Sequence, residues 1–323
     1  MAAAHIGAVC MGITVIAAST LAARAEYPER PVQIIVGFAA GSAPDLIVRS
    51  LSPAMSRELG QPVLVIDQPG ASGEIGAVAL KNAKADGYAI GFLAVSNMAI
   101  LPNTRSVHYT TDNFDYVCQT YTAPVTVVVA RNSPFKTIGD LLGYARENPQ
   151  KLLYGSTGPG TLTHISMAAL LQIQNVKATH VPMQSLTAVV QAITGGQIAA
   201  LAENVLVTRT GNLRPLVVLA KERSRLLPDV PSAGESNIAY EASAWSGLAA
   251  PKGIPAATRV KLERACRAAV SDAGFVQTAD KLAIEPFYRS GDEFGVYVRS
   301  ELARYKGLLP RLGLRPGSGA GAP

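Results

Sequence analysis

The sequence predicts an α/β protein of two lobes, each a mainly parallel sheet flanked by helices. Three observations carry this. At 323 residues the chain exceeds one ordinary domain and fits two. Apolar runs of strand length alternate with amphipathic stretches of helix length, the order that builds parallel sheets with crossover helices. The alternation then restarts near Thr126 with the same succession of strand, glycine-rich turn and helix.

Taken in order, 32–38 is a mostly apolar, β-branched run and predicts the first strand. The small residues Ala39-Ala40-Gly41-Ser42 break it. A helix is expected from Pro44 to Leu59, because proline in a first turn with an aspartate beside it is helix-start chemistry. Residues 63–66 give a second strand, the glycine-rich 69–73 a loop into a second helix, and 90–94 a third strand followed by Ser96-Asn97. In the second half, strands are expected at 126–130, 152–154, 180–182, 198–203 and 216–220, with helices at 137–148, 161–172 and 185–194. A helix at 256–272 and another near 291–305 close the chain. These late helices need a sheet to cover, so lobe one is expected to take 27–124 and 246–310, and lobe two 125–245. Residues 311–323, rich in glycine, proline and alanine, are expected to form a flexible tail.

Composition narrows the function classes. Hydrophobic residues make up 48% and charged residues 16%, enough for a sizeable core and against general disorder. The formal charge of +6 is dispersed, and its densest runs, 221–225 and 259–267, also contain Glu. Without aromatic interleaving this is no nucleic-acid surface, and a mildly basic background favours small anions. Residues 1–25 read as an export signal: an apolar stretch ending in Ala23-Arg24-Ala25, then the polar Glu26-Tyr27-Pro28. Cys10 lacks the small residue expected before a lipidated cysteine. The mature protein is thus expected to be soluble and periplasmic. An oxidising compartment permits a Cys118–Cys266 bridge, but one distant pair is no framework; small buried apolar residues are the default reading and the question stays open. His108, His164 and His180 show no metal-ligand spacing, so neither metal nor cofactor is expected.

Two segments share one physical logic. In Val36-Gly37-Phe38-Ala39-Ala40-Gly41-Ser42-Ala43-Pro44-Asp45, and again in Tyr154-Gly155-Ser156-Thr157-Gly158-Pro159-Gly160-Thr161, a strand ends in small residues and a helix begins. Small residues let a ligand approach the backbone, and a helix's first turn offers unpaired N–H groups in a partial positive field. Each loop can therefore cradle an anionic group. Asp45 could be a general base or the partner of Arg49 four residues on. His164 could donate to a ligand or simply occupy a helix face. The nucleotide-binding, metalloprotease and nucleophile-elbow motifs are missing, which argues against an enzyme.

The chain also resembles a known family. Tyr27-Pro28, Pro31-Val32 and Ile34-Ile35-Val36, then Gly41, Asp45 and Arg49 at spacings of four, then Leu59-Gly60-Gln61-Pro62-Val63 are similar to the opening of the Bug-type receptors of tripartite tricarboxylate transporters. The likeness runs on through Pro69-Gly70-Ala71-Ser72-Gly73, Ala85-Asp86-Gly87-Tyr88, His180-Val181-Pro182, Gly195-Gly196-Gln197 and Leu227-Pro228-Asp229-Val230-Pro231 to Trp245 and Gly247. It implies a two-lobe type II periplasmic-binding-protein fold that closes on a small carboxylate and hands it to membrane permease subunits, acting as a monomer. The ligand residues it implies, with those read from the loops, are Ala40, Gly41, Ser42, Ala43, Asp45, Ser96, Asn97, Ser156, Thr157, Gly158, Gly160, Thr161, His164, Met183, Glu203 and Asn204. The chain departs from the family at Gly41-Ser42, where a glycine pair is usual, and at Met183-Gln184-Ser185, where an aromatic-basic-glycine run is. It departs again at Ala199, in place of an acid, and at Glu203-Asn204, in place of Asp-Asn. The alternatives are a ligand sensor for a signalling partner and an exported enzyme acting on a small acid.

Overall fold

A computed structural model describes residues 26–315. Strand β1 (Val32–Val36) alternates, with Val32, Ile34 and Val36 in one apolar cluster and Ile35 in the opposite one. A strand that is apolar on both faces has to be covered on both. Helix α1 (Ala43–Leu59) covers the first face through Ile47, Val48, Leu51 and Met55, each almost wholly buried. Burial of such a side chain is worth about 1.5–3 kcal/mol. Strands β2 (Val63–Asp67) and β3 (Ala89–Ala94) pair parallel to β1 on either side. Helix α2 (Glu74–Asn82) covers the second face with Ala77 and Leu80, and a short helix α3 (Leu101–Thr104) follows the π-helical turn Ser96–Ile100.

Strand β4 (Phe114–Ala130) runs 17 residues and serves two sheets. Up to Pro124 it pairs antiparallel with β9 (Ser243–Pro251), and β10 (Glu285–Ser290) pairs with its 118–122 stretch. From Val125 onward its partners are β7 (Ala200–Asn204) and β8 (Leu213–Val218), again antiparallel. Strands β5 (Leu153–Ser156), β6 (Thr179–Pro182) and β7 form a second parallel set, ordered β7-β5-β6. Helices α4 (Ile138–Glu147) and α5 (Leu162–Ile173) pack on one face of it, and α6 (Leu186–Thr194) on the other. The late helices α7 (Ala256–Val270) and α8 (Ala273–Lys281) join α1 over the first sheet. Helix α9 (Gly291–Leu308) covers that sheet's other face.

The fold is thus α/β with two sheets, each parallel at one edge (β2-β1-β3 and β7-β5-β6) and antiparallel in the rest, where β4 takes part in both and β9 in the first. Three features differ from the sequence reading. Residues 126–130, read as a strand of their own, are the last part of β4, which begins at Phe114. Cys118 and Cys266 form a disulfide, which ties β4 to α7, so they are not merely small buried residues. The chain also stays ordered past Arg311: Leu314 is buried and Gln172 donates to the Arg311 carbonyl, because the end of α9 still has apolar surface to cover. The expected export signal and residues 316–323 lie outside the described residues. Among the described residues no helix is long and apolar enough to cross a membrane.

Candidate functional site

The first loop leaves the carboxyl end of β1. Ala39, Ala40, Gly41 and Ala43 are exposed, and Gly41 takes a left-handed φ of 78°. A Cβ there would meet nothing within 4 Å, so the turn faces open space. The turn is closed by Ser42 N–H donating to the Ala39 carbonyl at 3.1 Å. Below it Asp45, only 2% exposed, accepts from Gly41 N–H at 2.8 Å. Arg49 holds Asp45 at 2.6 Å, an ion pair with no aligned hydrogen bond at that oxygen, and reaches Asp67 at the end of β2 at 2.9 Å. Burial pushes the Asp45 carboxyl up, but Arg49 and the Gly41 amide outweigh it and hold the group below its ordinary value. The turn also rests on backbone: a Cβ on Gly76 would lie 2.6 Å from Gly37 Cα, so the close approach of α2 requires glycine. Asn97 accepts from Ala94 N–H at 2.8 Å and donates toward the Gly73 carbonyl, fastening the neighbouring turn.

The second loop leaves the carboxyl end of β5 with Gly158 at φ 132° and Gly160 at φ 77°, both facing open space. Thr161 caps α5 by accepting from His164 N–H and donates to the Gly158 carbonyl at 2.8 Å. Ser156 is fully buried, accepts from Gly158 N–H and lies 2.7 Å from His180 Nε2. Beneath the loop Tyr154, His180 and His164 stack, the two imidazoles 4.0 Å apart. Gly160 N–H donates to His164 Nδ1 at 3.1 Å, which puts the proton of a neutral imidazole on Nε2. Since β5 and β7 run parallel with Gly155 level with Leu201, Glu203 and Asn204 lie on the same sheet edge as this loop. Met183 follows β6 on that edge, its amide bonded to the Ser156 carbonyl. Carboxyl ends of parallel strands are where open α/β sheets place their ligands.

Residues 47–314 match the tripartite tricarboxylate transporter family receptor. The chain belongs to this family. It is 29% identical over 318 residues to the UPF0065 protein of the gbd 5′ region of Cupriavidus necator, covering 97% of each chain. A solved TctC solute-binding protein from Polaromonas aligns with a TM-score of 0.82 at 29% identity, over 88% of this chain and all of that one. The fold is shared with the R. palustris protein Rpa4515, solved with adipate, with a TM-score of 0.74 at 24% identity over 90% of this chain and all of that one.

In this receptor-family chain the expected residues fall into two groups. Ala40, Gly41, Ala43 and Thr157 are exposed on the loops, with Ser42, Gly158, Gly160 and Thr161 half-buried beside them. Asp45, Asn97, Ser156 and His164 lie underneath, where Asp45 accepts from Gly41 N–H, Asn97 from Ala94 N–H, Ser156 from Gly158 N–H and His164 Nδ1 from Gly160 N–H. Ser96 and Met183 are half-buried, Met183 against the α6 cluster. Asn204 accepts from Leu206 N–H. Glu203 accepts from Asn204 N–H at 2.8 Å, and burial raises its carboxyl above the ordinary range. The sequence reading paired Asp45 with Arg49 as one alternative but missed Asp67, His180 and the Gly37–Gly76 contact, which arise only when separate elements meet.

A cavity of about 1220 Å³ opens elsewhere, beside β10 and α9, and no expected site residue lines it. Three of its arginines are engaged, Arg223 with Glu235, Arg289 with Gln119 and Arg304 with Glu301.

His164 gives a pH prediction. Burial, with His180 alongside, pulls its imidazole from 6.5 down to about 4. The unfolded chain takes the proton first, so this contribution to stability is full above pH 6.5 and is lost as pH falls toward 4. The loss amounts to about 3 kcal/mol. Denaturant unfolding of wild type and His164→Leu across that window checks it: the wild type loses stability more steeply, and equal slopes would contradict the assignment.

Proposed function

We propose that the chain is an exported, periplasmic receptor that captures a small mono- or dicarboxylate between two lobes and delivers it to a tripartite-type membrane permease. The lobes are 27–124 with 246–310, and 125–245, hinged where β4 crosses from one sheet to the other and where β9 begins. The observation that carries this reading is the pair of glycine turns at the carboxyl ends of β1 and β5. Both expose backbone, and neither 39–45 nor 156–161 contains Lys or Arg. Ala40 and Ala43 offer their amides, and Ser42 its hydroxyl, to one carboxylate at the start of α1, while Gly41 shapes the turn. Thr157, Gly158, Gly160 and Thr161 contact the ligand from lobe two. Neutral donors aimed in advance at an anion need no counter-charge, and each hydrogen bond to a charged group is worth about 1.5–3 kcal/mol. Adipate in a protein of the same fold supports the ligand class.

The Ser156–His180 pair does not favour the enzyme alternative, because Ser156 is fully buried and its oxygen is engaged inside the loop. Native mass spectrometry of the exported protein, purified without refolding, is the direct test. A co-purified acid released on denaturation is expected. Steady turnover of such an acid, or a retained sugar, would contradict the proposal. N-terminal sequencing is expected to begin at Glu26.

A further inference from the structure

The first loop sits above a partly buried charge imbalance, with Asp45 buried, Asp67 half-buried and Arg49 at the surface. Asp45 and Asp67 share the single cation Arg49, so the ionised set carries one net negative charge directly under a turn that receives an anion. Asp67 Oδ1 is buried and no hydrogen bond satisfies it. The charged groups facing Asp67 are Asp45 and Arg49, both from α1; β1, its strand neighbour at Val36, brings none. Glu74, the next acid along the chain, is paired with Arg105 and His108 instead. Since Gly41 N–H is bonded to the Asp45 carboxylate, charge arriving at the turn is felt by this cluster through one residue.

We propose that Asp67 takes up one proton from solvent as an anion settles over the 39–43 turn, leaving Asp45, Arg49 and Asp67 neutral as a set. The proton goes to the Asp67 carboxyl, which lies within hydrogen-bonding reach of Asp45 and donates to it. Arg49 and Asp67 are then positioning residues for the first cradle: neither touches the ligand, yet both set the field it meets. Burial and the neighbouring Asp45 already raise the Asp67 carboxyl in the free protein, while Asp45 itself is held low. Affinity for an anion therefore rises as the medium becomes mildly acidic. For one proton per anion, linkage caps the gain at about tenfold per pH unit. The proposal deepens the carboxylate-receptor reading and rests on it.

The test is calorimetric titration of adipate into the mature chain, at mildly acidic pH, in two buffers of unequal ionisation enthalpy. The wild type is expected to show a binding enthalpy that depends on the buffer, and Asp67→Asn one that does not, while adipate still binds. A buffer-independent enthalpy in the wild type overturns the proposal. If adipate gives no heat, carboxyl-carbon NMR titration of Asp67 with and without acetate decides instead. An Asp67 titration that moves up with acetate supports proton uptake even though the dicarboxylate reading has failed; an unmoved one overturns it. In the free protein Arg49→Gln is expected to raise the Asp67 titration further, and a fall would overturn the cluster's stated charge balance.

Discussion

Replacing Cys118 and Cys266 together by alanine is expected to lower the unfolding free energy by about 2–5 kcal/mol. The bridge closes a sequence separation of 148 residues, a long loop whose closure strongly limits the unfolded chain. Both cysteines are fully buried, and they bind the strand that serves both sheets to a helix that arrives late in the sequence. The loss should therefore fall on the unit built by α1, α7 and the first sheet, and denaturant unfolding should report it as an earlier transition there. Thiol titration checks the premise. The wild type in denaturant without reductant should show no reactive thiol from Cys118 or Cys266, and two after reduction. Two free thiols before reduction, or an unchanged unfolding midpoint in the double variant, would contradict it.

Much of the architecture could be read from the chain because its outer strands are β-branched runs with glycine turns behind them. β1, β2, β3 and β5 all fall where periodicity puts them. The middle of the molecule was less legible, for physical reasons. Ala123-Pro124 looks like a break, since proline donates no ladder hydrogen bond. In the structure it marks the point where β4 leaves one sheet for the other, opposite Ser243. Strand β9 is mostly Ser, Gly and Ala, residues with weak strand preference. It needs them: a Cβ on Gly247 would lie 2.1 Å from the Cys118 carbonyl oxygen, so close packing selects the residue that propensity discounts. The candidate site divides in the same way. Its exposed turns were visible as motifs, whereas the Arg49–Asp67 contact and the Tyr154–His180–His164 stack depend on side chains from different elements.

Substituting valine at both Gly41 and Gly158 is expected to weaken carboxylate binding by about two to four orders of magnitude. Both glycines have positive φ, where a side chain costs about 1–2 kcal/mol, and both face open space that the new side chain would fill. Relaxation of each turn swings at least one amide off the ligand. Losing one charge-directed hydrogen bond per loop amounts to about 3–6 kcal/mol. Each single variant should retain partial affinity, because the other cradle remains. The proteins should stay folded, since neither new Cβ meets a neighbour within 4 Å. Circular dichroism and titration calorimetry on the same samples separate loss of binding from loss of structure. An unchanged affinity in the folded double variant would remove the two loops from the site.

The central claim is that two cation-free loops recognise a carboxylate, and matched titrations test it most directly. The wild-type mature chain is titrated calorimetrically with a panel of aliphatic, aromatic and hydroxylated acids, each beside its uncharged amide, together with amino acids and sugars. At least one acid is expected to bind at micromolar or tighter affinity, with its amide weaker by about a hundredfold or more, the worth of two hydrogen bonds to a charged group. A sugar or an amide that binds as tightly as the best acid would contradict the account.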